Sequence, residues 1–187
     1  MLVMCGDGGC VVGRSDSKVA PARSTSAHES AVVSFERQHG QTLFGFVRRL
    51  GVPDGAAADV VQESLLRLFG VLCAGQSIRD IRSWTFHVAY RLAMDEHRRV
   101  TRGQRTMSTT TNTSTNDDLA DDLERRQVWS EVDRLPERQR AVLYLRFRAD
   151  LSFEDIGTTL GITSSAARSH CTQALAAIRE RLGKEAG

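Results

Sequence analysis

The sequence predicts an all-α protein made of two small helical modules joined by a flexible acidic linker. Three observations lead there. Apolar residues recur at three- and four-residue spacing in successive segments, and no segment alternates with period two. A run at 106–116 that is nearly all Thr, Ser and Asn, then five carboxylates within 117–124, can bury almost nothing and so divides the chain. A length of 187 residues fits one large domain or two small ones, and 6% aromatic content is thin for a single β-rich core. The expected organisation is a disordered extension at 1–29, a helical module at 30–105, a linker at 106–122 and a second module at 123–187.

The elements follow in order. Residues 1–29 are rich in Gly, Ser, Ala and Thr and show no period. From Ala31 the pattern turns helical, with Leu43, Phe46, Val47 and Leu50 on one face and Gly51-Val52-Pro53 as a stop. Asp54 is a candidate cap for a helix whose apolar stripe is Val61, Leu65, Leu68 and Leu72. A loop around Cys73–Asp80 leads to a helix from about Ser83 to Arg99, with Ser83 as candidate cap and Trp84, Val88 and Leu92 as its stripe. After the linker, helical character returns from about Leu119 or Leu123 to Arg134. Leu135-Pro136-Glu137 opens the next helix, with Pro near its first turn. Ser152-Phe153-Glu154-Asp155 has the form of a capping box before Ile156 and Leu160. Gly161 then turns the chain, and Thr163 or Ser164 caps a last helix reaching about Leu182.

Charge is modest in total and uneven in place. The formal net charge is +2, yet residues 31–105 hold 11 basic and 7 acidic side chains, 106–134 hold 3 and 7, and 135–187 hold 8 and 6. Two mildly basic blocks around an acidic joint suit an anionic partner, although an ordinary solvated surface gives the same totals. No apolar run approaches the roughly 20 residues a bilayer-spanning helix needs, and Gly6, Asp7, Gly8 and Gly9 break up any signal-peptide core. The four cysteines show no zinc spacing, and Cys73 and Cys171 read as small buried hydrophobes. The five histidines form no ligand cluster, so no metal or cofactor is expected. A reduced, cytoplasmic setting is the default. Phosphate-loop, nucleophile-elbow, zinc-protease and dinucleotide-binding motifs are all missing, so no enzyme is expected.

Three constellations carry the functional argument. Residues 151–182 follow helix-turn-helix grammar. The last helix has a buried-type stripe of Ala167, Cys171, Ala174, Ile178 and Leu182, and opposite it Ser165, Arg168, Ser169 and Thr172. Such short polar and basic side chains reach phosphates and base edges from a major-groove helix. A polar surface hairpin is the plainer alternative. Residues 78–105 hold 7 basic and 3 acidic side chains, with His87, Arg91, Arg98 and Arg102 along one side and Trp84 and Phe86 nearby for stacking. The plainer reading puts both aromatics in the core. The helix 56–69 presents Asp59, Gln62, Glu63 and Arg67, which periodicity alone leaves as a solvated face.

Taken in order, "ADVVQESLLRLF" (58–69), "IRSWTFHVAYRLAMDEHRR" (81–99) and "LPERQRAVLYLRFRADLSFEDIGTTLGITSSAARSHCTQALAAIRERL" (135–182) resemble regions 2 and 4 of bacterial RNA polymerase sigma factors. The size and the direct passage between modules are similar to the extracytoplasmic-function (group IV) type. The resemblance spans about 31–182. It implies a promoter-specificity subunit that binds core polymerase, directs initiation at −10 and −35 elements and assists promoter opening. Asp59, Gln62, Glu63 and Arg67 match the surface that docks on the β′ clamp helices. Arg79, Arg82, His87, Arg91, Arg98 and Arg99 fall in the parts that open and read −10 DNA. Ser164, Ser165, Arg168, Ser169 and Thr172 fall on the −35 reader, whose module sits on the β flap. An anti-sigma factor is an optional further partner.

Three departures stand out. Arg91 replaces a usual Asn. His170 and Gln173 replace two usual basic residues, and losing two phosphate contacts flattens the salt dependence by about 0.9 each in log–log slope. Weak autonomous −35 binding is therefore expected. The rival readings are a stand-alone helix-turn-helix regulator of duplex DNA, with 31–105 as sensor or dimerisation module, and an interaction module that sequesters a partner.

Overall fold

The computed structural model describes residues 23–103 and 123–185, and every regular element in them is helical. The first module is α1 (Arg23–Arg49), α2 (Asp54–Cys73) and α3 (Ile81–Gly103). The second is α4 (Leu123–Asp133), α5 (Glu137–Phe147), α6 (Phe153–Leu160) and α7 (Ser164–Glu185). The linker expected at 106–122 and most of the N-terminal extension lie outside the described residues.

In the first module the expected α1 face is the core: Leu43, Phe46, Val47 and Leu50 are buried. They meet Val60 and Leu68 of α2 and Phe86, Ala89 and Ala93 of α3. Truncating a fully buried leucine such as Leu43 or Leu68 to Ala would cost about 2–5 kcal/mol. Helix α1 starts at Arg23, seven residues before the boundary expected at 30. Extending a packed helix adds a hydrogen bond per residue without a new nucleation penalty, so a segment without apolar period can still join it. At its other end Gly51 takes φ +86°, a left-handed conformation that suits glycine.

Two expected caps move. Pro53 occupies the cap position of α2 and has no side-chain acceptor for the helix N–H groups, while the Asp54 carboxylate pairs with Arg48. Asp80, not Ser83, opens α3: its carboxylate accepts the Arg82 N–H at 2.9 Å, and its carbonyl accepts the Trp84 N–H. Ser83 lies inside the helix. The α3 stripe is rotated as well. Thr85, Phe86, Ala89 and Ala93 are buried, and Trp84, Val88 and Leu92 are half-buried. Cys73 is exposed rather than buried, because α2 ends there and the chain turns outward through Gly75.

The helix-turn-helix forms as its sequence grammar requires. Ser152 Oγ accepts the Asp155 N–H at 3.1 Å, and Gly161 closes α6 with φ +66°. Thr163, rather than Ser164, caps α7 by accepting the Ala166 N–H at 3.1 Å. Ala167, Cys171, Ala174 and Ile178 are buried as expected, and burial pushes the Cys171 thiol pKa up, against the opposing effect of Arg146. Gly157 sits where a Cβ would stand 2.8 Å from the Ile162 carbonyl oxygen, so the turn can close only over a glycine.

The two modules share one continuous core. The Phe46 ring stacks on Tyr144 at 6.0 Å, and the Tyr144 hydroxyl donates to the Thr42 carbonyl at 3.0 Å. The Arg49 guanidinium lies 5.2 Å from the Trp129 ring and 4.9 Å from Tyr144, and it pairs with Asp133 at 3.2 Å.

Candidate nucleic-acid interface

The last helix-turn-helix places the expected side chains on one open face. Ser164, Ser165, Arg168, Ser169 and Thr172 are all exposed on α7, opposite its buried stripe. Thr172 Oγ1 donates back to the Arg168 carbonyl at 3.1 Å, and the Arg168 guanidinium rests 5.5 Å from the Phe153 ring. That contact holds a cation beside the turn, with its guanidinium open to an anion. His170 is half-buried with Nδ1 enclosed and unpaired, so its ring packs against the module at a position where the resemblance expects a long basic side chain.

The basic residues of the first module divide into two groups. Arg91, Arg98 and Arg99 are exposed on α3, with Arg98 paired to Asp95 at 3.3 Å and Arg99 to Glu96 at 2.7 Å. These are exposed intrahelical pairs that a phosphate can outcompete. Arg79, Arg82 and His87 instead face the second module. Arg79 pairs with Asp155 at 3.4 Å and Arg82 with Asp150 at 3.8 Å. His87 is half-buried against α6, and its pKa is lowered by burial and by Arg91, opposed by hydrogen bonds to the Thr158 and Thr159 backbone. His39, beside Asp80 and Arg82, is lowered too, first by burial, then by Arg82, with Asp80 opposing. The sequence therefore gathers the six residues on one helix and its leading loop; the fold leaves Arg79, Arg91, Arg98 and Arg99 exposed and half-buries Arg82 and His87.

The α2 face is more than a set of polar side chains. Asp59, Gln62 and Arg67 are exposed, and Arg67 Nε donates to Glu63 Oε1 at 2.8 Å. Beside them runs an open apolar groove between α1 and α2, about 810 Å³ in volume, with Val32, Val33, Phe44, Leu65, Leu66 and Phe69 along it and Gln62 at its edge. Leu66 is 58% exposed and Val33 52%. The sequence shows α2 as apolar over two adjacent stripes. The core takes Ala57, Val60, Ser64 and Leu68, and Val61 and Leu65, expected in the core, line the groove instead. Ser64 escapes notice because its hydroxyl, buried, donates to the Val60 carbonyl at 2.7 Å.

The sequence matches known families over both modules. Residues 36–103 match Sigma-70 region 2, and residues 132–180 match Sigma-70 region 4. The ECF RNA polymerase sigma factor SigL of Mycobacterium tuberculosis is 30% identical over 167 residues, covering 86% of this chain and 94% of that protein. The chain belongs to the sigma-70 family, in its ECF group.

It is accordingly a promoter-recognition subunit of RNA polymerase. Another ECF sigma factor, SigF of Caulobacter vibrioides, is 30% identical over 146 residues, covering 76% of this chain and 79% of that one. Among solved structures, the sigma factor RpoE of Bartonella quintana in complex with the anti-sigma factor NepR has a TM-score of 0.66 at 17% identity, covering 80% of this chain and 97% of that one. CnrH in complex with the cytosolic domain of CnrY gives 0.59 at 22% identity, covering 87% and 94%. These two likenesses establish the fold of this sigma factor.

Proposed function

We propose that this sigma factor binds core RNA polymerase through the α1–α2 groove and its polar rim, and reads promoters at two separate sites. The groove carries the reading. An apolar channel with Leu66 and Val33 exposed beside Asp59, Gln62, Glu63 and Arg67 has the composition of a helix-docking site, an apolar centre with a polar edge. The β′ clamp helices are its proposed occupant.

Arg79, Arg82, His87, Arg91, Arg98 and Arg99 are the proposed −10 contacts, and Ser164, Ser165, Arg168, Ser169 and Thr172 the proposed −35 contacts, with the second module seated on the β flap. Promoter opening requires a base to be unstacked and held, at a few kcal/mol per step, and the basic face of α3 holds the freed strand. The protein supplies binding energy and no reaction of its own. Its proposed setting is the cytoplasm, where polymerase works; no described helix is long and apolar enough to cross a membrane. RpoE is solved with the anti-sigma factor NepR, which supports an anti-sigma factor as a further partner here.

The test is run-off transcription from candidate promoters with purified core polymerase, with and without this chain. Start sites that appear only with the chain are the expected result. Tight duplex binding by the chain alone, with no promoter-directed transcript, overturns the proposal in favour of a stand-alone regulator.

A further inference from the structure

We infer that Phe153 is a positioning residue for the −35 reader: its ring holds the Arg168 guanidinium at the mouth of the helix-turn-helix and leaves the N–H fork free for a DNA phosphate. The inference rests on the proposed role of Arg168 and names the side chain that prepares it.

Arg168 differs from other exposed arginines in what holds it. Arg67, Arg98 and Arg99 are each tied to a carboxylate on their own helix. A phosphate must displace that carboxylate before it takes the N–H groups. Among the described residues no carboxylate pairs with Arg168; its contact is the Phe153 ring, 5.5 Å from the guanidinium carbon. A ring attracts the cation through its quadrupole and offers no oxygen to the fork. The guanidinium is therefore held in place with its donors available, which suits bidentate pairing with a phosphate.

The ring is itself fixed from two sides. Phe153 is the first residue of α6, directly after the Ser152 cap, and it is half-buried against the core of the module. Arg146 on α5 lies 5.4 Å from the same ring, and its N–H donates to the Leu151 carbonyl at 3.0 Å. Arg146 is thus anchored to backbone in the loop that leads to Phe153, whereas Arg168 reaches the ring from α7. Two cations share one aromatic platform: one braces it, and the other rests on it.

The gain is pre-organisation. A long arginine side chain that moves freely in water loses rotamer freedom when DNA fixes it. One that already rests on a ring has lost part of that freedom before binding. Arg168 is exposed, and so are Ser165, Ser169 and Thr172 on the same face of α7, so a duplex can reach it in the free chain.

The test is a double-mutant cycle on the full chain. The probe is a short mixed-sequence duplex, titrated by fluorescence anisotropy between about 50 and about 200 mM salt, which reads phosphate contacts without needing a promoter. Arg168→Ala should weaken binding and flatten the log–log salt slope by about 0.9, the loss of one phosphate contact. Phe153→Leu, which stays apolar and removes the ring, should weaken binding about two- to tenfold when Arg168 is present and leave it unchanged in the Arg168→Ala background. Phe153→Tyr keeps the ring and should bind within about twofold of the wild type. Thermal melts accompany each variant; where Phe153→Leu melts below the assay temperature, Phe153→Met serves the same cycle. Equal weakening in both backgrounds assigns the ring to packing alone and overturns the inference. Unchanged binding by Phe153→Leu, or a Phe153→Tyr variant as weak as Phe153→Leu, overturns it too, and in these cases the −35 role of Arg168 stands. If Arg168→Ala binds with the affinity and slope of the wild type, that role fails and the inference fails with it.

Discussion

At the scale of single residues, what was legible were side chains whose role follows from their own helix. Arg168, Ser169 and Thr172 are exposed because Ala167, Cys171 and Ala174 beside them are buried, and that division is written in the spacing. Gly157 was not legible, since a glycine in a short helix signals nothing until the turn folds over it. Its replacement by Ala drives a Cβ against the Ile162 carbonyl and the Ser164 nitrogen, both backbone atoms that cannot rotate away. Gly157→Ala should destabilise the protein by about 1–3 kcal/mol. Thermal melting checks it, with Tm falling roughly 2–4 °C per kcal/mol for a chain of this size. Arg98→Ala is the opposite case. Arg98 is exposed and paired only along its own helix, so melting should barely move. Open-complex formation should weaken, with the salt slope of promoter binding flatter by about 0.9. An unchanged slope and unchanged run-off yield would remove Arg98 from the −10 contacts.

Whole elements were legible in type and order and less so in rotation. Each helix carries a 3.6-residue apolar period, which announces it, but α2 and α3 are apolar over more than one stripe. Periodicity cannot say which stripe meets the core, because that depends on the angle at which α1 crosses them. In α2 the difference has functional weight, since the surplus stripe lines the groove proposed for docking. Leu66→Gln removes an exposed apolar contact and leaves Val60 and Leu68 in the core. It should leave Tm within about 1 °C and weaken core-polymerase binding by about 1–2 kcal/mol, roughly five- to thirtyfold, as measured by fluorescence titration. Caps were legible where side chain and helix start coincide, as at Ser152. They were missed where a loop residue takes over, as at Asp80. Ser152→Ala removes the bond to the Asp155 N–H and should lower stability by about 0.5–2 kcal/mol, read from denaturant melts of the full chain.

The arrangement of the whole molecule was the least legible. Tyr144 and Thr42 are 102 residues apart, and nothing local marks them as partners. Tyr144, Trp129 and Arg49 each read as ordinary members of their own helices, and only packing joins them. The same packing makes the contact between the modules depend on pH. His87 lies between Arg91 on its own helix and the backbone of Thr158 and Thr159 on α6, and burial lowers its pKa from the ordinary 6.5. Opening that contact returns the imidazole to water and its pKa toward that value. The protonated form therefore favours the open arrangement. The contact is at full strength above about pH 7.5 and weakens as pH falls through 6.5 toward the lowered value of the packed chain. His39 is also lowered, but Asp80 and Arg82 beside it belong to its own module, so its titration bears first on the folding of that module. The Tm of the full chain should accordingly fall from about pH 7.5 to about pH 5.5. His87→Gln, which keeps a hydrogen-bonding side chain and cannot take the charge, should flatten that profile while leaving Tm at pH 7.5 nearly unchanged. A profile that keeps its full slope in His87→Gln would assign the pH response to other groups.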